Sequence, residues 1–300
     1  VTCIQNSAFR SCTGLTRLDL PDGITSIDYN AFYDCTALEE VALPAGLTHL
    51  GDRVFYNCDA LTEMDLTVGA DCVFGSGIFE NCDYLTEIRL GTGIQTIPDG
   101  MFRNTTANFT VLVSDTVTRI GNEAFRGCTG LTQIQIPASV TQIGNHAYYG
   151  CSALTEVVIP DSVTTMGSYA FAECKALRQV TLSKNWTEVT QYTTGTWGDP
   201  VYGGTFYNCT ALTSVTVPEG AQRIARYAFQ GCTALSDVQI PDSVTVIGGH
   251  SFRGCTSLTG IEFPEALTEI APHAFSGCVG LTEVEIPDTV EILGGCAFDG

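Results

Sequence analysis

One short pattern returns thirteen times along this chain and leaves the backbone few folds to choose from. Read from its aromatic anchor, the unit is A-F-x-G-C-x-x-L-T-x-V-x-I-P-D-x-V-T-x-I-G. The anchors are Phe9, Phe32, Phe55, Phe79, Phe102, Phe125, Tyr148, Phe171, Phe206, Phe229, Phe252, Phe275 and Phe298. They follow one another at 23 residues, apart from one step of 24 and one of 35. Self-similarity at a fixed period of this size is the signature of a solenoid, a stack of coils in which each touches only its neighbours. Length is then no guide to domain number, and residues 1–300 read as a single array.

Two periodicities alternate within the unit. Leu131, Ile134 and Ile136 are apolar and Gln133 and Gln135 stand between them, which predicts a short strand with one buried face. Pro137 ends it, because proline offers no N–H to a ladder. Val140 and Ile143 form a second apolar pair. Ala124-Phe125 and Cys128 to Leu131 are spaced three or four apart, which predicts one turn of helix at the corner. One coil cannot bury these side chains alone. Stacked coils can, with the strands in a parallel ladder at about 4.8 Å per coil and a total length of about 60 Å. The position two after the anchor holds Gly127, Gly150, Gly231, Gly254, Gly277 and Gly300, or Asn57, Asn81, Asn104 and Asn208. Gly, and less easily Asn, tolerates φ > 0, so a left-handed residue is expected there, with Ser11, Asp34 and Glu173 as exceptions. Coil five carries Thr105 and Asn108 in place of Cys and Leu, which predicts inward polar groups and a weaker stack.

The pattern resembles the BspA-like (Treponema-type) leucine-rich repeat family of microbial surface proteins, over all the chain except an insertion near 190–203. The fold class on this reading is α/β and strand-rich: a right-handed leucine-rich-repeat solenoid with a parallel β-ladder, about 13 coils of 23 residues. The resemblance implies a secreted or surface-anchored bacterial protein, extracellular or at the cell surface, engaged in adhesion to host matrix or other cells.

The charge balance bounds the partners. With 33 acidic and 13 basic residues the chain carries −20, which argues against nucleic-acid binding. No stretch approaches the ~18 apolar residues of a membrane span. No signal peptide is visible. Val1-Thr2 falls partway through a repeat and Gly300 just before an expected cysteine, so the chain reads as a fragment of a longer array.

Eleven of the fourteen cysteines stand three residues after an anchor, and Thr105 takes the place of a twelfth. Because a hydroxyl can replace a thiol as a donor but not as half of a disulfide, the column reads as buried free thiols bonded to backbone carbonyls. Cys3, Cys72 and Cys296 lie off this column, with Cys3 and Cys72 read as sharing another. His250, His273 and Cys296 also share a column, two before the anchor. Tyr169 and Tyr227 occupy it elsewhere, so it reads as an aromatic packing position rather than a zinc site. There is no nucleophile elbow, H-E-x-x-H or phosphate-binding glycine loop. No catalytic role, cofactor or metal site is expected.

Two features point to recognition. Glu40, Glu63, Glu87, Glu156, Asp237 and Glu283 fall in one exposed strand column, and Asp19, Asp65, Glu262 and Glu285 in the other, opposed only by Arg17 and Arg89. Such a face keeps the chain soluble, or captures a basic partner, or holds Ca²⁺ weakly. The second is the insertion, Lys184 to Gly204, with both tryptophans of the chain, Trp186 and Trp197, and with Tyr192 and Tyr202. Aromatic loops leaving a rigid solenoid suit binding. The leading expectation is a non-enzymatic protein-interaction module whose partner is a host matrix or cell-surface protein. The alternatives are a structural spacer presenting another domain, or a carbohydrate-binding module.

Overall fold

The computed structural model describes residues 1–69, 71–185 and 203–300. It comprises two compact units, Val1–Val140 and Thr141–Gly300. Each is a β-solenoid on the repeat period, and every strand pairing is parallel.

In the first unit, Cys3–Ile4, Ser26–Ile27, His49–Leu50 and Val73–Phe74 form one ladder. Arg17–Asp19 pairs with Glu40–Ala42. Glu63–Leu66, Glu87–Leu90 and Thr110–Leu112 make a three-stranded sheet, and Thr96–Ile97 pairs with Arg119–Ile120. In the second unit, Arg223–Ile224, Val246–Ile247, Glu269–Ile270 and Ile292–Leu293 form a four-stranded ladder. Gln142–Ile143 pairs with Thr165–Met166, Glu156–Val158 with Gln179–Thr181, and Ser214–Thr216 with Asp237–Gln239. The proline after the strand face opens a tight turn: Val244 N–H donates to Pro241 O at 3.1 Å, and Leu267 N–H to Pro264 O at 3.0 Å.

The corner at the anchor is not the predicted helical turn, and there is no helix among the described residues. Cys12 N–H does close on Phe9 O within the coil at 3.1 Å. Ser7, Phe9 and Ser11 instead donate along the stack to Tyr29, Ala31 and Tyr33 at 3.1, 2.8 and 2.7 Å. The cause is a pair of left-handed residues, Ser7 and Ser11, each with φ of 58°. They turn alternate N–H groups toward the next coil, where a helix would turn them back on itself. Positive φ recurs two before and two after every anchor. Ser11, Asp34 and Glu173 are therefore no exceptions. Asp34 and Glu173 each accept a hydrogen bond from the asparagine one coil on, Asn57 Nδ2 at 2.8 Å and Asn208 Nδ2 at 2.7 Å, which offsets the strain.

The anchors fill the core as a stack of parallel rings. Phe32 and Phe55 lie 5.4 Å apart at 3°, and Phe206 and Phe229 lie 5.7 Å apart at 3°. Beside them runs the thiol column. Cys58 Sγ donates to Phe32 O at 3.2 Å, Cys128 Sγ to Phe102 O at 3.0 Å and Cys232 Sγ to Phe206 O at 3.2 Å. Thr105 Oγ1 makes the same bond to Phe79 O at 2.8 Å, and all fourteen cysteines are free. Cys12 departs from its column in being exposed. Cys3 aligns with Ser26, His49 and Val73, so Cys72 sits one residue out of its column.

In coil five Thr105 points inward as expected, but Asn108 does not. Asn108 turns outward and Phe109, 3 % exposed, enters the core against Phe102 at 5.3 Å. Asn108 Oδ1 then accepts the Thr132 N–H at 3.4 Å. The run from Leu131 to Ile136 keeps its alternation of burial but forms no strand.

Candidate functional site

The strand face of the first unit gathers three of the predicted binding residues. Alternation along Glu63–Leu66 buries Met64 and Leu66 and turns Glu63 and Asp65 outward. Parallel pairing then sets Glu63 opposite Glu87 and Asp65 opposite Arg89. Glu40, Ala42, Leu43, Glu63, Asp65, Thr67, Glu87 and Arg89 line a depression of about 470 Å³. Glu156 lies in the second unit, exposed, with Gln179 as its ladder partner. Trp186, Tyr192, Trp197 and Tyr202 lie outside the described residues.

The charges of this face are only partly compensated. Arg17 reaches Glu40 at 3.2 Å and Asp19 at 3.3 Å, and Arg89 reaches Glu87 at 2.8 Å. The hydrogen bond to Glu87 raises the Arg89 pKa, helped by the charges of Glu87, Asp65 and Glu63. Glu63 makes no ion pair among the described residues. Among the described residues no group of three or more His, Cys, Asp or Glu is arranged to hold a metal ion. The face can attract a cationic surface and accept hydrogen bonds from it.

Sequence reasoning found the aromatic column two before the anchor but missed that its backbone is left-handed. Tyr227, His250 and His273 stack there, with ring centroids 4.9 and 4.8 Å apart. Gly77, Gly100, Gly204 and Asn30 at the same position of other coils were the available signal, since all suit φ > 0. The histidine column is thus a packing stack, as its tyrosines imply.

A BspA type leucine rich repeat region matches residues 2–114, 106–194 and 201–300. A leucine-rich repeat protein from Bacteroides ovatus superposes with a TM-score of 0.80 at 24 % identity, over 98 % of this chain and 78 % of that one. A leucine rich cell surface protein from Faecalibacterium prausnitzii superposes with a TM-score of 0.53 at 29 % identity, over 100 % of this chain and 76 % of that one. A leucine-rich repeat protein from Eubacterium ventriosum gives 0.57 at 23 % identity, over 96 % and 82 %. No curated protein matches the chain. No described helix is long and apolar enough to cross a membrane.

Proposed function

We propose that this chain, which belongs to the BspA type leucine rich repeat family, is a protein-interaction module of a bacterial cell surface that acts by binding and not by catalysis. The observation that carries the reading is the in-register pair Glu63 and Glu87, with Asp65 and Glu40 beside it and, among the described residues, Arg89 and Arg17 as counter-charges. Carboxylates facing each other across a ladder oppose its stability. A rigid solenoid that keeps them presents a preformed negative surface to a basic partner patch. The cell-surface description of the Faecalibacterium prausnitzii protein supports the location. The partner class is a host matrix or cell-surface protein. The aromatic insertion, with Trp186, Tyr192, Trp197 and Tyr202, supplies the less polar contacts, since Trp and Tyr dominate interface energetics.

The test is surface-based binding of the 300-residue chain to purified matrix proteins at low and physiological salt. Exchange of Glu63 and Glu87 for Gln slows association several-fold at low salt and less at high salt. Trp186→Ala with Trp197→Ala speeds dissociation. Binding that ignores both salt and the glutamine exchanges sinks the acidic-face reading.

A further inference from the structure

The corner of the second unit carries charge of the opposite sign. In a chain of net charge −20, residues 226–231, 249–254 and 272–277 hold Arg226, His250, Arg253 and His273 and not one Asp or Glu. The three segments occupy successive coils. Arg226 Cζ lies 4.9 Å from the Tyr227 ring centroid, Tyr227 stacks on His250 at 17°, and His250 stacks on His273 at 15°. The stack is half-buried and Arg253 is exposed. Elsewhere Arg17, Arg53, Arg89, Arg103, Arg126, Lys175 and Lys184 pair with carboxylates, while Arg10, Arg119 and Arg178, like Arg253, make no ion pair among the described residues. His250 Nδ1 is buried and has no hydrogen-bond partner.

We infer that this corner binds a tetrahedral oxyanion, a sulfate or phosphate ester group, through His250, His273 and Arg253. Tyr227 and His273 cover both faces of the His250 ring, so that imidazole presents only its edge, and an edge N–H is a donor. Parallel rings 4.8 Å apart cannot aim two nitrogens at one metal at the ~2.0–2.1 Å that zinc requires. A tetrahedral anion bridges the same gap with N–H···O bonds of about 2.8 Å and leaves oxygens for a guanidinium. Burial lowers the His250 pKa, and His273 from the next coil, Arg226 from the preceding one and Arg253 from its own coil lower it further. Tyr227 is the remaining titratable group against the ring. Alone, this group of residues resists another positive charge; an anion supplies the counter-charge. Binding therefore takes up a proton and strengthens as pH falls toward the lowered His250 value.

The experiment is an NMR titration of the full chain with inorganic phosphate and inorganic sulfate, at about pH 6 and about pH 8. The chain has four histidines, His49, His146, His250 and His273. The ring signals of His250 and His273 move together and saturate, while those of His49 and His146 stay. Arg253→Gln, at an exposed position, weakens binding about tenfold. His250→Phe keeps the stack and abolishes the proton uptake. Galactose 6-sulfate and galactose 6-phosphate separate the two sources. The sulfate ester keeps one charge, so its affinity falls steadily with pH, whereas the phosphate ester gains a second near pH ~6 and holds its affinity higher in the range. Equal drift of all four histidines, the lack of saturation, or an Arg253→Gln variant that titrates like the parent overturns the inference.

Discussion

A buried thiol three residues after most anchors satisfies one backbone carbonyl of the preceding coil, and this small duty explains the cysteines of that column. Thr105 makes the same bond, so the position requires a compact donor rather than sulfur. Burial pushes the Cys174 and Cys232 thiols up to about 12, which removes the reactive thiolate. Native treatment with a bulky thiol reagent, followed by intact mass measurement, should label Cys12 and Cys296 at once and Cys3 and Cys72 slowly. The other ten cysteines are buried and should react only on unfolding. Fast labelling of more than four thiols would sink the buried-donor account. The pattern was legible in the sequence because of one substitution, Thr105.

Among the described residues, one buried carboxylate serves as an internal clamp between neighbouring coils. Glu80, 6 % exposed, receives Arg103 at two bonds of 2.9 and 2.8 Å and has Arg53 at 3.4 Å. Arg103 continues to Glu123 at 2.8 Å, and Glu123 to Arg126 at 3.2 Å. Gly77 makes room: a Cβ there would sit 3.0 Å from Glu80 Oε2 and 3.2 Å from Arg53 Cγ. Removing Arg103 leaves a buried carboxylate half compensated. Arg103→Met should cost about 2–3 kcal/mol, below the value for a fully enclosed pair because the arginine is partly exposed. For Glu123, burial raises the pKa, but the hydrogen bond from Arg103 and the charge of Arg126 outweigh it and hold the carboxyl below its ordinary value. A depressed carboxylate stabilises the fold above its unfolded pKa of 4.5, and that contribution disappears as pH falls through the folded value. Urea titrations at neutral pH and near pH 4 should therefore show a smaller gap between parent and Arg103→Met in acid. A gap that does not change with pH would make the clamp purely steric. Glutamate one after an anchor gave no sign of this role in the sequence, because its partners Arg103 and Arg53 lie 23 and 27 residues away in neighbouring coils.

Across the second unit, the insertion leaves the stack unbroken. Asp161 receives Lys184 N–H at 3.0 Å and Asn185 Nδ2 on its carbonyl at 2.7 Å, so the exit from the ladder is pinned. The chain returns at Gly204, φ 71°, where a Cβ would meet the Tyr169 ring at 2.5 Å. Phe171 then stacks on Phe206 at 5.7 Å, and Phe171 N–H reaches Thr205 O at 2.9 Å, as in any other pair of coils. Deleting the twelve residues that exceed the 23-residue period should leave the melting temperature within a few degrees of the parent. A fall of ten degrees or more in a thermal melt would mean that the insertion covers core. The sequence by itself determined the period, the anchor stack, the thiol column and the outward acidic positions, because each depends on a residue and its copy one coil away. Tertiary structure alone decided the second left-handed position, the outward turn of Asn108 with Phe109 taking its place, and the cationic corner. These depend on which backbone bonds point along the stack and on side chains of different kinds meeting from three coils, and no single repeat contains that information.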